Sequence, residues 1–153
     1  ACLSDRTNKE LFEKYCDEIG YHPVSFVAKD ANKQLIYHTN VMMNIGTGYM
    51  IVALNSIDPS DRSTFLRESE GLEIIPISIE QMNNFAGNML ELATENGGNI
   101  LVCSQSAYDS LVQEQKTQIE QFVKLVPISI PTIEKIGGGS VRCMIAENFL
   151  SCR

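Results

Sequence analysis

The chain has no tryptophan, only two histidines and no run of Lys or Arg. Phosphate backbones are held by clustered cations, so the scattered Lys and Arg and a formal charge of −7 argue against a nucleic-acid partner. Long apolar stretches are missing as well. The longest runs, such as residues 50–54 and 100–103, fall far short of the ~20 residues a membrane span requires, and no signal-peptide pattern opens the chain. The five cysteines, Cys2, Cys16, Cys103, Cys143 and Cys152, are odd in number and include no CxxC pair. Neither a disulfide framework nor a zinc site is indicated, no metal or cofactor is expected, and a reducing, cytoplasmic compartment is.

What is present suits one globular unit. The 153 residues, 44% of them hydrophobic, supply enough apolar material for a single core. Residues 1–4 read as the end of a strand already under way, so a longer polypeptide is expected.

An internal repeat organises the chain. Pro23-Val24-Ser25, Pro76-Ile77-Ser78 and Pro127-Ile128-Ser129 recur at intervals of roughly fifty residues, as repeated supersecondary units do. Each follows a helical pattern and precedes an apolar hairpin, which divides the chain into units of about 1–57, 58–112 and 113–153. In the first unit Thr7 and Glu10 form a capping box, Leu11, Phe12, Tyr15, Cys16 and Ile19 form an apolar stripe, and Gly20 ends the helix. A strand is predicted over residues 23–28. In the second, Asp58-Pro59-Ser60 opens a helix that Gly71 closes, and residues 72–78 read as a buried strand. The third helix, over residues 115–123, turns Ile119, Phe122 and Val123 inward before a strand over 124–130. Hairpins are predicted for residues 41–45 with 48–54 and for 89–93 with 99–104, the latter through Asn96-Gly97-Gly98. A further strand pair starts at residues 143–146. Units set around an axis aim equivalent loops at one place, which would bring together residues 38–40, 85–88 and 137–143.

Those loops hold the residues with chemistry. Cys143 follows Gly137-Gly138-Gly139-Ser140, and the glycines let backbone N–H groups approach a thiolate or a ligand. Cys16 and Cys103 fit the commoner role of small buried hydrophobes. His38 sits in Tyr37-His38-Thr39-Asn40, where its imidazole can pair with a thiolate or protonate a departing amine. His22 is assigned to the surface, and Glu134 and Glu147 to solvated positions flanking the Cys loop. No Lys-Ser or Lys-Thr follows Gly139, so the loop is not a phosphate-binding P-loop, and Gly46-Thr47-Gly48 reads as a hairpin turn.

The run Gly137-Gly138-Gly139-Ser140-Val141-Arg142-Cys143-Met144 resembles the nucleophile loop of the guanidino-modifying, or pentein, superfamily. Tyr37-His38-Thr39-Asn40-Val41-Met42-Met43 resembles its catalytic histidine segment, and Phe85-Ala86-Gly87-Asn88-Met89-Leu90 its turn before a strand. The likeness spans essentially the whole chain and is closest to the citrulline-utilisation hydrolase, amidinotransferase-like and dimethylarginine dimethylaminohydrolase-like branch. It implies an α/β propeller of five ββαβ units, of which this chain holds about three as its carboxy-terminal part. It also implies a hydrolase or transferase acting on a small guanidino or ureido substrate, arginine-like or citrulline-like. Cys143 would attack the central carbon and His38 would protonate the leaving amine. Many members carry an acid two positions after the histidine; here Asn40 is the substrate-binding candidate, and its neutral amide suits a ureido group. The family's catalytic glutamate is expected before Ala1, so an amino-terminal portion or a second chain would complete the pocket, and the isolated chain would be inactive.

Two rival readings differ in class. A non-catalytic propeller used as a binding module has no need of Cys143 and His38 together. A Cys-His peptidase requires a cysteine at a helix amino end, which the strand-like residues 143–146 disfavour.

Overall fold

The computed structural model describes residues 1–148. The first helix, α1 (Lys9–Ile19), is capped by Asn8, whose side chain accepts from the Leu11 N–H, and Gly20 at φ 71° ends it. Asn8 takes the place predicted for Thr7, whose N–H is already bonded to the Ser4 carbonyl at 3.0 Å. The apolar stripe also departs from expectation. Only Cys16 is buried, while Leu11 and Tyr15 are 68% and 57% exposed. Helical spacing identifies which residues share a face and carries no information on what covers it.

Two three-stranded sheets follow, built to one plan. A helical turn, α2 (Thr39–Met42), runs into β1 (Met43–Ile45), which forms an antiparallel hairpin with β2 (Tyr49–Val52). Helix α3 (Pro59–Glu68), capped by Asp58, then returns the chain to β3 (Glu73–Pro76), parallel to β2 with Met50 opposite Ile74. The second sheet repeats this after α4 (Ile79–Asn83). Strands β4 (Leu90–Ala93) and β5 (Asn99–Ser104) form the hairpin, and α5 (Gln105–Ser110) and α6 (Gln113–Glu120) cross over to β6 (Lys124–Ile128). There β6 lies parallel to β5 with Leu101 opposite Leu125. The last helix is α7 (Pro131–Gly137).

The opening residues repeat the crossover in reduced form. Cys2 bridges Phe26 in parallel on either side of α1, with the Leu3 N–H 2.8 Å from the Phe26 carbonyl. The strand predicted over residues 23–28 is instead a set of isolated bridges, Phe26 to Cys2 and Ala28 to Ile57, with no continuous ladder among the described residues. Short helices α4, α5 and α7 have too few residues for periodicity to reveal. Their caps do announce two of them: Ser78 and Gln81 form a reciprocal capping box for α4, and Ser104 caps α5.

The core lies between the sheets and their helices. Tyr49, Ile51, Ile75, Met89, Leu101 and Ile119 are fully buried, and every residue of the central strand β2 is buried, as a strand covered on both faces should be. Phe122, predicted inward, remains 41% exposed, and its ring rests on Tyr49 at 5.3 Å. Among the described residues, no helix is long and apolar enough to cross a membrane.

A polar clasp joins the two hairpins. Glu91 on β4 accepts from the Thr47 N–H at 3.0 Å, the Thr47 hydroxyl at 2.6 Å and Asn99 Nδ2 at 2.6 Å. Partial desolvation pushes its carboxyl up, and the hydrogen bonds led by Thr47 outweigh that, leaving it below its ordinary value. A lowered folded value means the clasp contributes stability above the unfolded carboxylate range and loses it as pH falls through the folded value. Urea midpoints measured from pH 7 down to pH 3 should show wild type above Glu91→Gln at neutral pH, with the gap closing on acidification. A gap independent of pH would contradict this assignment.

Candidate active site

Three segments meet here: one entering α2 ahead of β1, one between α4 and β4, and one leaving α7. They enclose a cavity of about 250 Å³ lined by His38, Asn40, Phe85, Asn88, Gly139 and Cys143 among others. The structure thus places all three residues singled out from the sequence, Cys143, His38 and Asn40, on the wall of one space.

The cysteine loop is shaped by hydrogen bonds rather than by sheet pairing. Helix α7 starts with Pro131 and ends where Gly138 takes a left-handed conformation at φ 67°. Residues Val141–Met144 form a 3₁₀ turn, with the Cys143 N–H bonded to the Ser140 carbonyl at 3.0 Å and the Ile145 N–H to the Arg142 carbonyl at 3.3 Å. This replaces the strand predicted from residue 143. The apolar composition of residues 143–146 suggests a strand, but the local bonds to Ser140 and Arg142 close a turn first.

Two anchors hold the turn. Ser140 is fully buried and donates its hydroxyl to Glu134 on α7 at 2.7 Å, while the other Glu134 oxygen accepts from the Ser106 hydroxyl on α5. Glu134, assigned to solvent from the sequence, instead ties the loop to the second sheet's helices. Arg142 donates to the Met89 carbonyl at 3.3 Å. Gly139 leaves room for the nucleophile candidate, since a Cβ there would stand only 3.2 Å from Cys143 Sγ.

Opposite, His38 occupies the position before α2 in extended conformation, and its side chain makes no capping bond. Its ring rests on Tyr37 at 4.8 Å between centroids. Asn40 also lines the cavity, and its carbonyl accepts from Asn88 Nδ2 at 3.0 Å. His22 lies away from the cavity on the surface, with Nε2 3.8 Å from Glu68.

The middle loop is the part that sequence reasoning left without a role. Phe85 adopts φ 65°, unusual for a bulky residue and stabilised here by the Asn88 N–H bond to its carbonyl at 2.8 Å. Gly87 packs so closely on the first loop that a Cβ would lie 2.6 Å from the Val41 carbonyl oxygen and 2.8 Å from the Met43 nitrogen. Asn88 is buried, with Nδ2 3.4 Å from Cys143 Sγ. The signal was Phe85-Ala86-Gly87-Asn88 itself, a Gly-Asn turn entering a strand.

Cys143 differs from the other described cysteines in being exposed; Cys2, Cys16 and Cys103 are buried. Burial pushes the Cys103 thiol up to about 12 and raises that of Cys2. Brief iodoacetamide treatment of the native protein at pH 8, followed by peptide mapping, should therefore label Cys143 well before Cys2, Cys16 or Cys103; equal labelling would contradict the burial. Gly87→Ala should displace the backbone at residues 41–43 and destabilise the fold by about 1–3 kcal/mol, as overpacking does, with an altered Cys143 alkylation rate. Unchanged urea unfolding would show that the close approach is relieved elsewhere.

Comparison with known proteins gives a family and a fold. The family model described as N,N dimethylarginine dimethylhydrolase, eukaryotic, matches residues 1–150. No curated protein matches the chain in sequence. The apo structure of ArgZ, an arginine dihydrolase from the ornithine–ammonia cycle in cyanobacteria, is similar at TM-score 0.74 and 16% identity, covering 99% of this chain and 23% of that one. The N-terminal domain of ArgZ bound to product is similar at TM-score 0.72 and 16% identity, covering 94% of this chain and 48% of that one. A C. jejuni agmatine deiminase with substrate bound is similar at TM-score 0.50 and 12% identity, covering 96% of this chain and 48% of that one. At these identities the structural likeness is one of fold, and the chain spans less than half of each of these proteins.

Proposed function

The chain belongs to the eukaryotic N,N dimethylarginine dimethylhydrolase family, of pentein fold, and from that premise we propose that it carries the nucleophile and the proton donor of a guanidino-group hydrolase. The reading is supported above all by the single cavity that an exposed Cys143 and His38 both line. The central carbon of a guanidinium is resonance-stabilised and a poor electrophile, so a covalent route splits one difficult substitution into two easier ones.

In the first half, the Cys143 thiolate forms a C–S bond to that carbon. His38 delivers a proton to the leaving nitrogen as its C–N bond breaks, and an amine departs. In the second half, His38 takes a proton from water, the resulting hydroxide adds to the carbon, and the C–S bond breaks to return the thiolate with a urea-type product. Asn40 contacts the substrate with a neutral amide. That neutrality favours a second substrate class, the ureido group of a citrulline-like molecule, in which water displaces the amine in the same way.

In this reading the chain is part of a larger catalytic domain, its carboxy-terminal three of five repeated units. Two observations support its being a part, though not which part: the uncovered apolar side of α1, where Leu11, Tyr15 and Ile19 are exposed, and the chain's 48% coverage of the N-terminal domain of ArgZ. The remaining units would bring the acidic groups that grip the substrate. The binding-module reading has in its favour only that those groups lie outside this chain.

Turnover of arginine, dimethylarginine and citrulline, followed as released amine or ammonia, tests the proposal on the complete protein. Cys143→Ser should reduce turnover to background, and His38→Ala should lower it by about 100- to 10,000-fold, the range of general acid–base catalysis. The 153-residue chain alone should turn over none of the three. Full activity in Cys143→Ser would overturn the covalent route, and activity of the isolated chain would overturn its incompleteness.

A further inference from the structure

Asn88 touches both sides of the cavity with one side chain. It is 4% exposed, and its Nδ2 lies 3.0 Å from the Asn40 carbonyl oxygen and 3.4 Å from Cys143 Sγ. Its Oδ1 lies 3.6 Å from the same sulfur. A carboxamide nitrogen has two hydrogens, and here there are two partners to receive them. The Asn40 carbonyl fixes the orientation of the amide, because reversing it would set oxygen against oxygen in a buried place. The second hydrogen is then left pointing at the sulfur.

That matters because, among the described residues, Asn88 is the side chain to which the Cys143 sulfur is hydrogen-bonded. The Cys143 side chain is exposed on a 3₁₀ turn, beside Gly139. An exposed thiol exchanges among staggered rotamers unless a partner selects one. Resting on the hydrolase reading above, we propose that Asn88 is a positioning residue that selects the reactive rotamer of Cys143 and ties it to the loop bearing His38. Before attack the thiol can donate to Oδ1; once ionised, the sulfur accepts from Nδ2. Both states are served without moving the carboxamide. The turn beneath it is built to keep it still, with Gly87 against the backbone of residues 41–43 and the Asn88 N–H bonded to the Phe85 carbonyl.

Asn88→Ala and the near-isosteric Asn88→Asp, made in the complete protein, test this by turnover and by the rate of Cys143 alkylation without substrate. In both, kcat should fall about 10- to 100-fold, as a misplacement of roughly an ångström does, with KM changed less than about threefold, the pattern of a group that does not bind substrate. The alkylation rate should change alongside kcat while circular dichroism stays native. Asn88→Asp should be no better than Asn88→Ala, since its carboxylate faces the Asn40 carbonyl and offers the sulfur no hydrogen. Wild-type kcat and alkylation in either folded variant would overturn the proposal, and so would a raised KM with unchanged kcat. Loss of the folded state in both variants would assign Asn88 to the fold and also overturn it. Alkylation needs no substrate, so it reads the Asn88–sulfur contact even if wild type and Cys143→Ser show the same turnover, the result that would sink the hydrolase reading alone.

Discussion

Backbone lies directly on backbone where Gly87 meets residues 41–43, with no side chain between them. The loop before β4 and the helical turn before β1 are thereby set at a fixed separation, and everything at the cavity is measured from that contact. Asn40 and His38 follow from one side of it, Asn88 and the thiol it touches from the other. Larger residues would need the loops to part, and a parted pair of loops has no reason to aim at a common space. A glycine here acts as a spacer of minimum thickness, and its value is geometric rather than conformational.

The cysteine loop obeys a different logic. Its shape comes from short-range bonds, Cys143 to Ser140 and Ile145 to Arg142, and its place in the molecule comes from Glu134 bridging Ser140 and Ser106. Buried or half-buried hydroxyl–carboxylate bonds of this kind are strong because one partner is charged. Two hairpins are joined by the same chemistry at Glu91, which gathers Thr47 and Asn99. Acidic residues in this chain are therefore structural clasps as well as surface charge.

Much of this architecture was legible in the order of residues. Asn96-Gly97-Gly98 and Gly46-Thr47-Gly48 marked hairpins that form where predicted, and buried Cys103 and Cys16 behaved as small hydrophobes. Residues that pattern could not resolve share a cause: a particular hydrogen-bond partner or covering surface decides their conformation, and residue type alone does not name it. Residues 143–146 look like a strand until the bonds to Ser140 and Arg142 are counted. The α1 stripe looks like a core face until its cover is sought. Asn88 carries no periodic signal at all, because its meaning lies in two partners, 48 and 55 positions away. On the third unit, the predicted strand beyond residue 148 and Cys152 lie outside the described residues.

Helix α7 buries none of its residues, with Ile136 81% exposed, yet it delivers the glycines and the thiol to the cavity. Within the described residues its outer positions pack against neither sheet, while Glu134, Gly138 and Gly139 fix the loop that follows. A lineage can retune the rim around the sulfur by altering this one segment, without repacking the interior that holds the rest in place.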